Sequence, residues 1–182
     1  MFTLDSIHDN WAALSKKLNG NFTFSEYERA YVKAGIVTAR IRYLYKERSI
    51  EINQAIYESN RGRLDFRYLE ISTKLITEDF SLNLWRSDLF DRLFKNKRIT
   101  TGFADFDQFI TVKCSDENIA FSVFQNPEIR KAIQDNKDVV LNTVKENDNH
   151  IFRLRSYTSP NAINKIETLA DLVNKISSYI PS

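Results

Sequence analysis

Between Val37 and Ile56 the chain alternates apolar and polar residues with a period of two, which commits it to strands with one dry and one wet face. Val37, Ala39, Ile41, Tyr43 and Tyr45 alternate with Thr38, Arg40, Arg42 and Leu44. Ile50, Ile52, Gln54 and Ile56 alternate with Glu51, Asn53 and Ala55. Lys46-Glu47-Arg48-Ser49 separates the two runs, so the pattern predicts a β-hairpin.

Further strands are expected downstream. After the turn signal Asn60-Arg61-Gly62, Phe66, Tyr68 and Glu70 alternate with Asp65, Arg67, Leu69 and Ile71. Phe80, Leu82 and Leu84 follow Thr77-Glu78-Asp79, and Ile110, Val112 and Cys114 make another run. A second hairpin pairs Val139–Val144 with Ile151–Leu154 around the loop Glu146–Asn149. Asn21–Tyr27 carries a fainter strand pattern.

Helical periods frame these strands. Leu4, Ile7, Trp11, Leu14 and Leu18 recur at steps of three and four, and Asn19-Gly20 stops the stripe. Leu89, Phe90, Leu93 and Phe94 fit one helical face within Ser87–Asn96. Ser115-Asp116 caps a short helix bearing Ile119, Ala120, Val123 and Phe124. Asn126-Pro127-Glu128 starts a second, with Asn as N-cap and Pro at the first helical position. Ile163, Ile166, Leu169, Ala170, Val173, Ile176 and Ile180 hold a stripe over about five turns after Pro160-Asn161, and Pro181 ends it. The expected class is α+β, a mainly antiparallel sheet of about five to seven strands. An N-terminal helix opens it, two short helices interrupt it, and a long C-terminal helix packs on one face. No repeat or linker divides the chain, so residues 1–182 are read as one domain.

Composition narrows the function. The net charge of +2 supplies no field to gather nucleic acid or an anionic membrane. A single cysteine excludes an internal disulfide and fits a reducing compartment. The start, MFTLDSIHDNW, lacks the basic and apolar regions of a signal peptide, and no stretch has the length of a membrane span. A cytoplasmic location is expected. Thirteen Phe and eight Tyr imply a bulky core or an aromatic-lined cavity; four glycines leave little for phosphate-cradling loops.

Four groups invite chemistry. Asp105 and Asp107, in Asp-Phe-Asp, would hold a divalent metal if a loop turned both inward. The structural alternative makes Gly102 the turn residue and has Asp105 and Asp107 accept backbone hydrogen bonds. Phe103, Phe106 and Phe109 or Ile110 would then point to the core. Cys114 shares a strand face with Ile110 and Val112. The histidines, His8 and His150, lie in polar settings, so a buried inert thiol is expected and a zinc site is not. Arg40, Arg42, Arg61, Arg63, Arg67, Arg153 and Arg155 near Tyr43, Tyr45, Tyr57 and Tyr68 would make a single-strand-binding face. Glu47, Glu51, Glu58, Asp65 and Glu70 dilute that face and offer cross-strand pairing instead.

The run ITTGFADFDQFITVKCSDENIAFSVFQNPEIRKAI, Ile99–Ile133, resembles a segment of uncharacterised bacterial proteins in which a Gly is followed by Phe-Asp, an alternating strand, an acidic turn and two short helices. LDFRYLEISTKLITEDFSLNLWR and NWAALSKKLNG extend the likeness; Gly102, Phe106, Asp107, Ile110, Ala120 and Ile129 carry it. No activity is established for such proteins. The resemblance implies a fold, and an architectural role for Gly102, Phe106 and Asp107.

The leading expectation is a soluble, non-enzymatic bacterial domain that binds a partner protein, a second copy of itself or a small apolar ligand, with no cofactor and no membrane. A metal-dependent enzyme using Asp105 and Asp107, and single-stranded nucleic-acid binding, are the alternatives.

Overall fold

The computed structural model describes residues 3–28, 35–58, 64–77, 80–87 and 98–180. The strands are β1 (Asn21–Glu28), β2 (Gly35–Tyr45), β3 (Arg48–Glu58), β4 (Leu64–Phe66), β5 (Leu69–Leu75), β6 (Leu82–Arg86), β7 (Ile110–Cys114), β8 (Val140–Glu146) and β9 (Asn149–Ser156). The helices among these residues are α1 (Leu4–Lys17), α2 (Ala104–Asp107), α3 (Glu117–Gln125), α4 (Pro127–Asp135) and α5 (Ile163–Ser177). The strands form one nine-stranded antiparallel sheet in the order β1-β2-β3-β5-β9-β8-β6-β7, with β4 beside β3. The α+β class, the antiparallel sheet and the helices at both ends are as expected. The expected turn at Asn60-Arg61-Gly62, the Glu78-Asp79 link, the Leu89–Phe94 face and Pro181 lie outside the described residues.

The strand number is corrected upward, for two physical reasons. β1 pairs with β2 from Asn21↔Arg42 to Glu28↔Gly35, yet its inward rings Phe22 and Phe24 sit at the sheet margin and are only half-buried. The single run expected around Phe66 is broken by a bulge. Ile56 pairs with Phe66 and Ile52 with Ile71, so four steps along β3 match five along β4–β5. Arg67 N still reaches Ala55 O at 2.9 Å. The extra residue flips the phase: Leu69 and Ile71 face the core, and Tyr68 is 60% exposed.

Both hairpins close with two residues in left-handed backbone, Lys46-Glu47 (φ 45° and 69°) and Asn147-Asp148 (φ 47° and 63°), the signature of a type I′ turn. The expected four-residue links are therefore shorter, with Tyr45↔Arg48 and Glu146↔Asn149 as the closing pairs.

One buried cluster joins the sheet and helices. Ile7, Trp11 and Leu14 of α1 and Ile166, Leu169, Val173 and Ile176 of α5 meet the inward residues of β2, β3, β5 and β9. A capping box between Thr3 and Ser6 starts α1. Trp11 Nε1 donates to Pro160 O at 2.8 Å, and Lys17 pairs with Glu167 at 2.6 Å, so α1 is tied to the approach and first turns of α5. At Gly20 a Cβ would lie 2.8 Å from Arg42 O, so the close passage of this loop over β2 demands glycine. α5 stops at Ser177, short of the expected five turns. Ile180 is still buried, and its carbonyl accepts a 2.6 Å bond from Arg48. No helix among the described residues is long and apolar enough to cross a membrane.

The opposite sheet face pairs its charges across strands. Arg42 Nε donates to Glu51 Oε2 at 2.5 Å, while Arg40 Nε lies 3.2 Å from Glu51 Oε1 as a charge contact outside hydrogen-bond geometry. Arg155 Nε donates to Glu70 at 2.9 Å, and Arg153, 8% exposed, donates to Glu146 at 2.7 Å.

Candidate functional site

The Gly102–Ile110 segment turns on one left-handed residue, Gly102, with φ 88°. Asp107 then fastens the loop: its Oδ1 accepts from Thr101 N at 3.1 Å and Thr101 Oγ1 at 2.8 Å, and its Oδ2 from Gly102 N at 3.2 Å. Phe106 is buried beneath, its ring 5.3 Å from that of Phe124. Asp105 is exposed and accepts no hydrogen bond among the described residues. Two positions apart on a helical turn, Asp105 and Asp107 point to nearly opposite sides. No group of three or more His, Cys, Asp or Glu side chains able to hold a metal occurs among the described residues.

Of the rings expected inside, Phe106 is buried, and Ile110 takes the second place at 7% exposure. Phe109 turns outward at 43%. Phe103, half-buried, is covered by Arg130, whose guanidinium carbon lies 3.5 Å from the ring centroid. The same guanidinium donates to Phe124 O and, at 3.0 Å, to Gln125 O. It therefore satisfies the free carbonyls at the end of α3 and fixes the ring that follows Gly102.

Beside this brace lies an open cleft of about 410 Å³ lined by Arg86, Phe109, Ile110, Ile133, Gln134 and Lys137. Arg86 ends β6, Ile110 begins β7 directly after Phe109, and Ile133 and Gln134 belong to the last turn of α4. The register Arg86↔Ile110 places the first two at one end of the sheet. The volume falls in the roughly 300–1,000 Å³ range of small-molecule sites. Gln134 also borders a shallower hollow of about 390 Å³ lined by Gly102–Phe106 and Arg130. Ile133 and Ile110 were legible as apolar positions. Gln134 and Lys137 lie three residues apart around the end of α4, but Arg86 comes from a distant segment that no sequence spacing joins to them.

The other expected sites are dispersed. Cys114 is half-buried on β7, one sheet edge, and burial pushes its thiol pKa up. His8 stacks near Phe22 and Phe24 at the β1 edge, and His150 sits on β9 between Leu75 and Lys145. Neither stands where it would draw the thiol proton. Arg40, Arg42, Arg153 and Arg155 share one face but are engaged by Glu51, Glu70 and Glu146. Tyr43 faces the core. Arg67 lies over Tyr57, and Tyr68 packs against Tyr157. Arg61 and Arg63 lie outside the described residues.

No protein-family model, curated protein or solved structure matches this chain.

Proposed function

We propose that this is a non-catalytic binding domain that takes a small apolar ligand in the cleft between the end of β6–β7 and α4. The observation that carries the reading is Phe109, a large aromatic side chain 43% exposed at the mouth of a cleft whose inner wall is Ile110 and Ile133. Apolar surface left open in a concave site is the usual mark of an apolar guest. Asp107, held by the loop it closes, is read as a bracing residue together with Gly102 and Phe106. The resemblance of Ile99–Ile133 to bacterial proteins and the single cysteine support a bacterial, cytoplasmic setting.

Titration with the neutral dye Nile red tests the proposal. The expected result is blue-shifted, saturable emission that weakens at least about tenfold in Phe109→Ser, a loss within reach of one exposed ring. Circular dichroism would confirm that the variant stays folded. Absence of saturable emission with the wild-type protein would overturn the reading.

A partner-protein reading rests on a different surface. Phe66 and Tyr157 have ring centroids 5.0 Å apart, with Tyr68 6.0 Å from Tyr157, and Tyr68 and Tyr157 are 60% and 54% exposed. Exposed, mutually supported tyrosines are common anchors of protein interfaces. Concentration-dependent sedimentation of the wild-type chain, lost in Tyr68→Ser/Tyr157→Ser, would support a self-association version of it; a wild-type sedimentation coefficient that stays constant with concentration would sink that version.

A further inference from the structure

We propose that the ligand of the Phe109 cleft is an amphiphilic monoanion, a carboxylate on a short apolar body, held by Arg86 and Lys137. The inference rests on the cleft being a ligand site, as argued above. The lining separates by chemistry: Phe109, Ile110 and Ile133 are apolar, Arg86 and Lys137 are cationic, and Gln134 brings amide donors. Among the described residues no carboxylate lines the cleft. Among the described residues neither cation has an ion-pair partner, in contrast to Arg40, Arg42, Arg153 and Arg155.

Of the described acids flanking Lys137 in sequence, one is paired and the other lines a different groove. Asp138 accepts from Ser156 Oγ at 2.7 Å and Lys165 Nζ at 3.1 Å. Asp135 lines the groove between α4 and α5 with Glu128 and Asp171. The C-terminal carbonyls of α4, which would repel an anion, are partly quenched: Asn136 Nδ2 donates to Ala132 O at 2.7 Å and Asn136 N to Ile133 O at 3.3 Å. Two cations without an ion-pair partner among the described residues, set over an apolar floor, favour a charged head and an apolar tail together. A carboxylate suits a guanidinium, which can hold both its oxygens.

Calorimetry at pH 7.5 with decanoate, decanol and decyltrimethylammonium, on the wild type and on Arg86→Gln/Lys137→Gln, tests this. Both substituted side chains are exposed, so the fold is not at stake. Decanoate should bind about tenfold or more tighter than decanol, the ammonium more weakly still, and the double variant should bring decanoate to the decanol level. The preference should also shrink at high salt. Equal affinities for decanoate and decanol would overturn the anion proposal while leaving an apolar-ligand cleft in place. A decanoate preference that survives in the double variant would overturn it too, since the head would then be held elsewhere. If neither decanoate nor decanol binds and Nile red is silent, the cleft reading falls and takes this inference with it.

Discussion

Tyr43 Oη donates a 3.0 Å hydrogen bond to Asn174 Oδ1, joining the second strand to the last helix inside the core. Both side chains are nearly enclosed, at 5% and 7% exposure. Burial is the main force on the phenol and pushes its pKa up to about 12. The neutral phenol is therefore the form the fold requires.

Tyr43→Phe should cost about 1–2 kcal/mol in urea unfolding, because Asn174 Oδ1 is left buried without its donor. Adding Asn174→Leu should recover part of that loss, since no orphan acceptor remains. The pH dependence has a fixed sign. A folded pKa raised above the ordinary value of about 10 gives stability that is whole below pH 10 and is lost as pH rises toward 12. A native-state absorbance titration at 295 nm should show a late phenol that disappears in Tyr43→Phe.

Asp107→Ala should destabilise the protein by about 1–3 kcal/mol, since three donors lose a charged acceptor. Asp105→Ala should stay within about 0.5 kcal/mol, as an exposed substitution without partners does. Equal effects in thermal unfolding would refute the division of roles between these two carboxylates.

Gly20→Ala and Gly102→Ala should both destabilise, by different physics. At Gly20 the new Cβ meets the Arg42 carbonyl at 2.8 Å, so backbone must move. At Gly102 nothing stands within 4 Å, and the cost is the left-handed φ of 88°, about 1–2 kcal/mol. Gly102→Asn should recover much of that loss, whereas Gly20→Asn should not. Denaturant midpoints of the four variants check this.

Asp138 sets the acid limb. Burial opposes its ionisation, but hydrogen bonds from Ser156 and Lys165 outweigh burial and hold the carboxyl below its ordinary pKa. Ser156 Oγ gives its only proton to Asp138, so in the 2.7 Å contact of Ser156 with Thr158 the donor is Thr158. A depressed carboxyl contributes stability that is whole above about pH 4 and lost as pH falls through the folded value. Asp138→Asn should cost about 1 kcal/mol at pH 7, kept small by partial exposure. The gap to wild type should close near pH 3 in paired unfolding curves.

The hairpins, the α3 and α4 caps and both terminal helices were legible because each depends on residues close in sequence. Asp116 and Asn126 bond the backbone of their own first turns, as their spacing implies. What escaped depends on registration between distant segments. The bulge at Arg67-Tyr68 is invisible in a pattern that reads as one strand, because only pairing with β3 reveals the extra residue. Phe109 and Ile110 compete for one inward position, and the turn after Asp107 decides between them. The cleft draws on β6, β7, α4 and the residues after it, which no local period connects.

The position of β9 has a consequence for biosynthesis. Among the described strands β9 alone bridges the β1–β5 arm and the β6–β8 arm, yet it is the last of them to leave the ribosome. A nascent chain can close its first hairpins early, but two half-sheets wait with open edges until Asn149–Ser156 arrives to zip them together. A stop codon before residue 149 would therefore release one chain bearing two sticky half-sheets rather than a slightly trimmed protein, and quality-control proteases would meet this chain chiefly in that interval.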